Sequence, residues 1–316
     1  RKAAGGGALT GGTTLLKFMI MGLGLSAFWG GFWAGAMYAA SFVVIQLLHC
    51  TLATKQPAMT APAMAAKLKD IGTPEAVNAF VDEVAHLMRS QAAAVLGNVL
   101  VVFPVVLLLS VGIGLLLGHP MLSAKDAAYT LHSLSLLGPT LLFAGFTGCL
   151  LFASSIIAGW VENWFVLRRL DSAMRYNPGI TGILGVERAG RWAHFMRNNI
   201  SGFASNISLG FMLGLIPPIM AFFSLPLEVR HVTLSAGQLA AASAAYGVQT
   251  VFMPAFWWAV AAIPLIGALN LGVSFYLAYK LALRAHNVSG VQRAHIHQAI
   301  WARWRHRPLS FFIPAG

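Results

Sequence analysis

Apolar runs long enough to cross a bilayer constrain this chain more than any other feature. A hydrocarbon core ~30 Å thick takes about 20 apolar residues as helix. Leu15 to Cys50 is apolar apart from Lys17. These 36 residues would measure about 54 Å as one helix, too long for one straight span. The Gly30-Gly31 pair, between Trp29 and Trp33, predicts a break, with spans over 15–30 and 33–50. A single tilted or kinked helix is the rival. Further spans are predicted at 93–118, 137–161, 205–225 and 255–279, with Pro104, Pro217-Pro218 and Pro264 inside three of them. In lipid a helix satisfies its own backbone, so the expected fold is an all-α polytopic bundle of about six spans forming one transmembrane domain over 1–316. Composition agrees. Hydrophobic residues make up 58% and charged residues 9%, against roughly 25% charged in soluble chains.

The net charge of +12 reads first as a topology signal. Of 21 Lys and Arg, only Lys125 and Arg230 fall in the segments 119–136 and 226–250. The other 19 lie before the first break, in 51–92, in 165–204 or in 280–316. Six spans place all 19 on one side, which orients those segments and both termini to the cytoplasm of a bacterial inner membrane. Nucleic acid is not expected as a partner. Membrane lipids, anionic ones among them, are, along with protein partners in the membrane. Residue 1 is Arg, and glycines at 5–7, 11 and 12 read as a flexible lead-in from a longer parent. Cys50 and Cys149 belong to no metal or disulfide pattern, and no cofactor or metal is expected.

A faint repeat pairs Gly185-Val186-Glu187-Arg188-Ala189 with Gly290-Val291-Gln292-Arg293-Ala294. Asn98 pairs with Asn206, Pro120 with Pro226, and Thr130-Leu131 with Thr233-Leu234. Each unit would hold a span, an outer segment, a second span and a basic inner helix.

Three polar groups stand out. Lys55, Gln56 and Thr60 lie in a stretch broken by Pro57 and Pro62. They fit either a cap that binds an anionic group or a rigid connector. Glu162 and Asn163, beside Trp160 and Trp164, fit either a functional ionisable site near lipid or an interfacial anchor. Glu228, Arg230 and His231 fall in a predicted outer loop. They read most simply as a hydrogen-bonded staple; a metal or proton site would also draw on His119 and His132. The glycines of Gly145-x-x-Gly148, Gly112-x-Gly114 and Gly210-x-x-x-Gly214 predict close helix packing.

The segments Thr51 to Pro62 and Leu225 to Ser235, with Glu162-Asn163-Trp164 and the Asn206 to Gly214 stretch, resemble a bacterial membrane family known as site-specific recombinase (Gcr type). Members are longer, and the resemblance implies that this chain is their C-terminal membrane half. The family name implies DNA recombination. His194-x-x-Arg197 matches an element of tyrosine recombinases, with Tyr246, Tyr276 and Tyr279 downstream. The same two residues also read as the polar face of a surface helix. The leading expectation is a membrane scaffold or an envelope- or lipid-handling factor without catalytic residues. A transporter comes next and a recombinase third.

Overall fold

The structure is a computed structural model and describes residues 1–52, 74–285 and 290–313. Among the described residues eleven α-helices run in the order α1 (Lys2–Gly22), α2 (Ala27–Leu47), α3 (Pro74–Leu117), α4 (Ala124–Ser133), α5 (Thr140–Leu167), α6 (Leu170–Tyr176), α7 (Pro178–Leu184), α8 (Val186–Phe222), α9 (Val232–Tyr246), α10 (Pro254–Ala285) and α11 (Gly290–His306). There is no strand among the described residues. Among the described residues five helices, α2, α3, α5, α8 and α10, are long and apolar enough to cross a membrane. Leu100, Leu108, Leu115, Leu116, Leu142 and Phe222 are exposed on them, as suits a surface facing lipid. The protein is an all-α polytopic helical bundle.

The N-terminal third corrects two expectations. The glycines at 5–7, 11 and 12 are helical, not a loose lead-in. A side chain at Gly6 would strike the Thr51 carbonyl, and one at Gly11 would strike Val105. These glycines let α1 lie directly against α3. The chain then turns at residues 23–26, where Gly24 has φ +63°, and Gly30-Gly31 continues inside α2. Gly31 and Gly35 face Gly210 and Gly214 of α8, so close that an added side chain would meet the opposing backbone. The pair predicted to break a helix instead lets two helices touch. Gly148 packs likewise against Val273 and Leu269 of α10, whereas Gly112 and Gly145 face open space.

The second correction of consequence is α9. The 226–250 region was expected to be an outer loop. After α8 the chain reverses at Ser224, which adopts a left-handed φ of +56°. Residues 225–231 then run into the bundle without regular secondary structure. From Val232 the chain climbs back as α9, buried from Val232 to Gly237 and from Leu239 to Ser243. Asn270 fixes the turning point. It lies sixteen residues past Pro254, about 24 Å along α10. Its amide donates to Ala144 O and Arg230 O (2.9 Å each), and its oxygen accepts from the Val232 N–H (3.0 Å). Asn98 of α3, also fully buried, donates to Ala3 O (2.6 Å) and Thr51 O (2.9 Å) and accepts from the Thr233 hydroxyl (3.3 Å). Fifteen residues of α9 span about 22 Å, too short to cross the membrane, so this is a re-entrant helix. Its composition explains its burial: Ala, Ser and Gly surround it, leaving no bulky or charged side to turn outward.

Both predicted repeat units therefore read long helix, short helix, long helix: α3–α4–α5 and α8–α9–α10. They differ in the short element, since α4 is ten residues with only Ala127, Thr130 and Leu131 buried. At one end of the bundle, here the basic end, α11 folds back on α3. Phe80, Val84, Ala85, Ala282, Leu283, Ile296 and Phe311 form a small core there. Arg303 pairs with Asp82, and Arg89 donates to Ser310 O at 2.7 Å.

Candidate functional site

Where the irregular 225–231 segment enters the bundle, a cavity of about 580 Å³ opens. It is lined by α1, α2, α4, α8 and α9 at the end opposite the basic one. Arg230 is buried, with 6% of its surface exposed, and is held on every side. Its Nε and Nη2 donate to Ser133 O (3.3 and 2.9 Å), and Nη1 donates to Val229 O (3.0 Å). Nη2 also pairs with Glu228 at 2.6 Å, and the guanidinium sits 5.5 Å from the Phe143 ring centre. Its backbone N–H donates to Thr147 Oγ1 (2.7 Å). The Glu228 carboxylate takes a further bond from Tyr129 (3.0 Å). Partial burial and that neighbouring carboxylate push the Tyr129 hydroxyl above its ordinary range, so it stays a protonated donor. His231 is buried beside Phe42, with ring centres 6.4 Å apart.

The back wall of this cavity is α9 itself. Leu234, Ser235 and Gln238 face the charged cavity. Ala236 and Leu239 face a second space of about 890 Å³ between α3 and α10. That space is a groove lined almost wholly by apolar groups. It runs from Val84 to Pro104 on α3, about 30 Å at helical rise, with Val260 to Phe275 opposite and Phe312 at its edge. The two prolines that border it, Pro104 and Pro264, each remove one rung of the helical hydrogen-bond ladder. A single helix, about 10 Å across, thus divides a charged compartment from an oily one.

The sequence-selected residues scatter across this arrangement. Glu228, Arg230 and His231 do come together, but inside the bundle and not in an outer loop. Glu162 is half-buried and Asn163 exposed, near the end of α5, fifteen residues and about 22 Å beyond Thr147. They share nothing with the cavity. Lys55, Gln56 and Thr60 lie outside the described residues. His119 Nδ1 sits 3.0 Å from Pro120 O, and among the described residues no three His, Cys, Asp or Glu side chains converge on a metal position. Lys17 is the residue that sequence reasoning passed over: it lines the cavity and lies within electrostatic range of Arg230 and Glu228. Its signal was present as the one charge in a 36-residue apolar run, but it had been counted as a topology charge.

The recombinase constellation does not assemble. His194 is exposed on α8 and bonds Asn198 (2.9 Å). Tyr279 stacks between Phe275 (5.6 Å) and Phe80 (6.2 Å), in the core made by α3, α10 and α11. The main packing partners of α8 are α2, α5, α6 and α7. Against known proteins, a family model described as site-specific recombinase matches residues 1–314. No curated protein and no solved structure matches.

Proposed function

We propose that this chain, which belongs to the site-specific recombinase family, handles a lipid or another amphiphilic envelope component within the membrane. One observation carries the reading: α9 separates an apolar groove about as long as a bilayer core is thick from a charged cavity. A hydrocarbon chain gains roughly 0.8 kcal/mol for each methylene removed from water. Within lipid that gain vanishes, so what favours the groove is close contact with α3 and α10 and a fixed register beside charged groups. The family name points to DNA. The residues of this segment that would serve strand transfer, His194, Arg197 and Tyr279, lie on α8 and α10, which are not main packing partners, with Tyr279 stacked in a separate core; this supports a lipid-directed role instead.

Transport of the amphiphile is the second reading. It is favoured by the re-entrant helix, whose N-terminus opens deep in the bundle, as broken helices do in transporters. Lys55, Gln56 and Thr60, outside the described residues, remain a proposed contact with anionic lipid from the sequence alone. The inner bacterial membrane, with both termini cytoplasmic, is the proposed setting.

The test is the lipid content of the full chain purified in mild detergent, measured by native mass spectrometry and lipid extraction. One or more lipids retained through extensive washing, and lost when Ala268→Trp fills the groove, is the expected result. A lipid-free protein that nicks or joins duplex DNA would replace this reading with the one in the family name.

A further inference from the structure

The charged cavity holds more than the Arg230 staple. Three hydrogen-bond donors from three different helices line it: Lys17 of α1, Tyr38 of α2 and Gln238 of α9. None of the three has a hydrogen-bond or ion-pair partner among the described residues; Lys17 touches only the ring of Phe18, 5.7 Å from its centre. Tyr38 is 4% exposed, while Lys17 and Gln238 are half-buried. Three donors from separate elements that line one space can share one acceptor placed there.

The acids of the cavity do not supply it. Glu228 is engaged at both oxygens, by Tyr129 and by Arg230. Asp126 is engaged by the Ser123 hydroxyl at 2.6 Å. An incoming cation would find Glu228 already shared between Tyr129 and Arg230, and the Lys17 ammonium opposed to it. An incoming anion would find an ammonium, a phenol and an amide N–H, all unused.

We propose that the cavity is a binding site for a phosphate or carboxylate group, held by Lys17, Tyr38 and Gln238, with Arg230 as a fixed background charge. Lys17 supplies the charge-assisted bonds, and the other two orient the oxygens. Arg230 contributes mainly through its field, because four of its five N–H groups are engaged by Ser133, Val229 and Glu228. The site stands whether or not the groove behind α9 holds a lipid chain, and it is tested separately.

The experiment follows thermal unfolding of the full chain in mild detergent. The probes are inorganic phosphate, a short-chain phosphatidylglycerol and a short-chain diacylglycerol as the uncharged control. Wild type should be stabilised more strongly by the phosphatidylglycerol than by the diacylglycerol, whose chains can use only the apolar groove. Stabilisation by inorganic phosphate as well identifies a free anion as sufficient; stabilisation by the lipid alone identifies a headgroup site. Lys17→Met should weaken the apparent affinity at least about tenfold, and Gln238→Leu or Tyr38→Phe by about threefold, while Lys17→Arg retains it. The two milder variants carry the test if Lys17→Met fails to fold. Equal stabilisation by the uncharged lipid, no response of wild type to either anionic probe, or unchanged affinity in the variants would overturn the proposal.

Discussion

Replacing Asn270 by Leu tests the re-entrant segment at its anchor. The side chains are similar in size, so the change is mainly electrostatic. It strips the partner from the Val232 N–H, the Arg230 carbonyl and the Ala144 carbonyl. Ala144 sits inside α5, where its carbonyl already has the helical bond, and its loss is minor. Val232 opens α9, so its N–H belongs to the first turn and has no helical acceptor. Arg230 lies outside any helix, so its carbonyl has no helical donor. These two groups are left unsatisfied in a dry interior, at about 1–3 kcal/mol each. Hydrogen bonds between membrane helices average only ~0.6 kcal/mol, because alternatives exist in the unfolded chain. A peptide segment held apart from any helix ladder has fewer of them, so the expected loss is about 3 kcal/mol. Unfolding in mixed micelles titrated with a denaturing detergent measures it. Ser154→Ala is the control, since Ser154 donates only to Leu151 O of its own helix (2.8 Å) and should cost little. A loss from Asn270→Leu no larger than that of the control would refute the reasoning.

Thr147→Val keeps the shape of the side chain and removes the acceptor for the Arg230 N–H, so a loss of about 1–2 kcal/mol is expected in the same titration. Gly214→Val places a side chain against the backbone of Gly31 and Gly35 and should abolish recovery of folded protein, read by gel filtration in detergent. Duplex DNA should bind weakly, without sequence preference, and be released steeply by salt; Tyr279→Phe should change nothing in that assay. Reporter fusions after residues 180 and 300 should report cytoplasm, and fusions near 126 and 248 the opposite side; residue 180 outside would reverse the orientation.

Much of the bundle was legible because a bilayer imposes its length on sequence. The helices α3, α5, α8 and α10 contain most of the apolar runs that announced them. Glycine was where the reading failed, because one residue type serves opposite ends. At Gly24 it permits a positive φ, whereas at Gly11 and Gly31 it permits contact between helices, and sequence alone does not separate the two. The α9 helix was hidden for a related reason. It is too short for a span and too small in its side chains to look like a core element, so only the Asn98 and Asn270 bonds reveal where it sits. Asn98 had been noticed as half of a repeat; Asn270 carried no pattern at all. The site was half legible. Glu228, Arg230 and His231 were picked out by contrast with a charge-poor segment, but Lys17, Tyr38 and Gln238 meet them only through the fold.

The central claim is that the space behind α9 is a place for a lipid chain, distinct from the lipid that bathes every membrane helix. A photocrosslinking amino acid at Leu271, inside the groove, can be compared with one at Leu116, which is 87% exposed on α3. Both variants are purified, exchanged thoroughly into detergent and irradiated, and the adduct mass is read. The account predicts a lipid adduct at residue 271 and only detergent at residue 116. Detergent alone at both positions would contradict it.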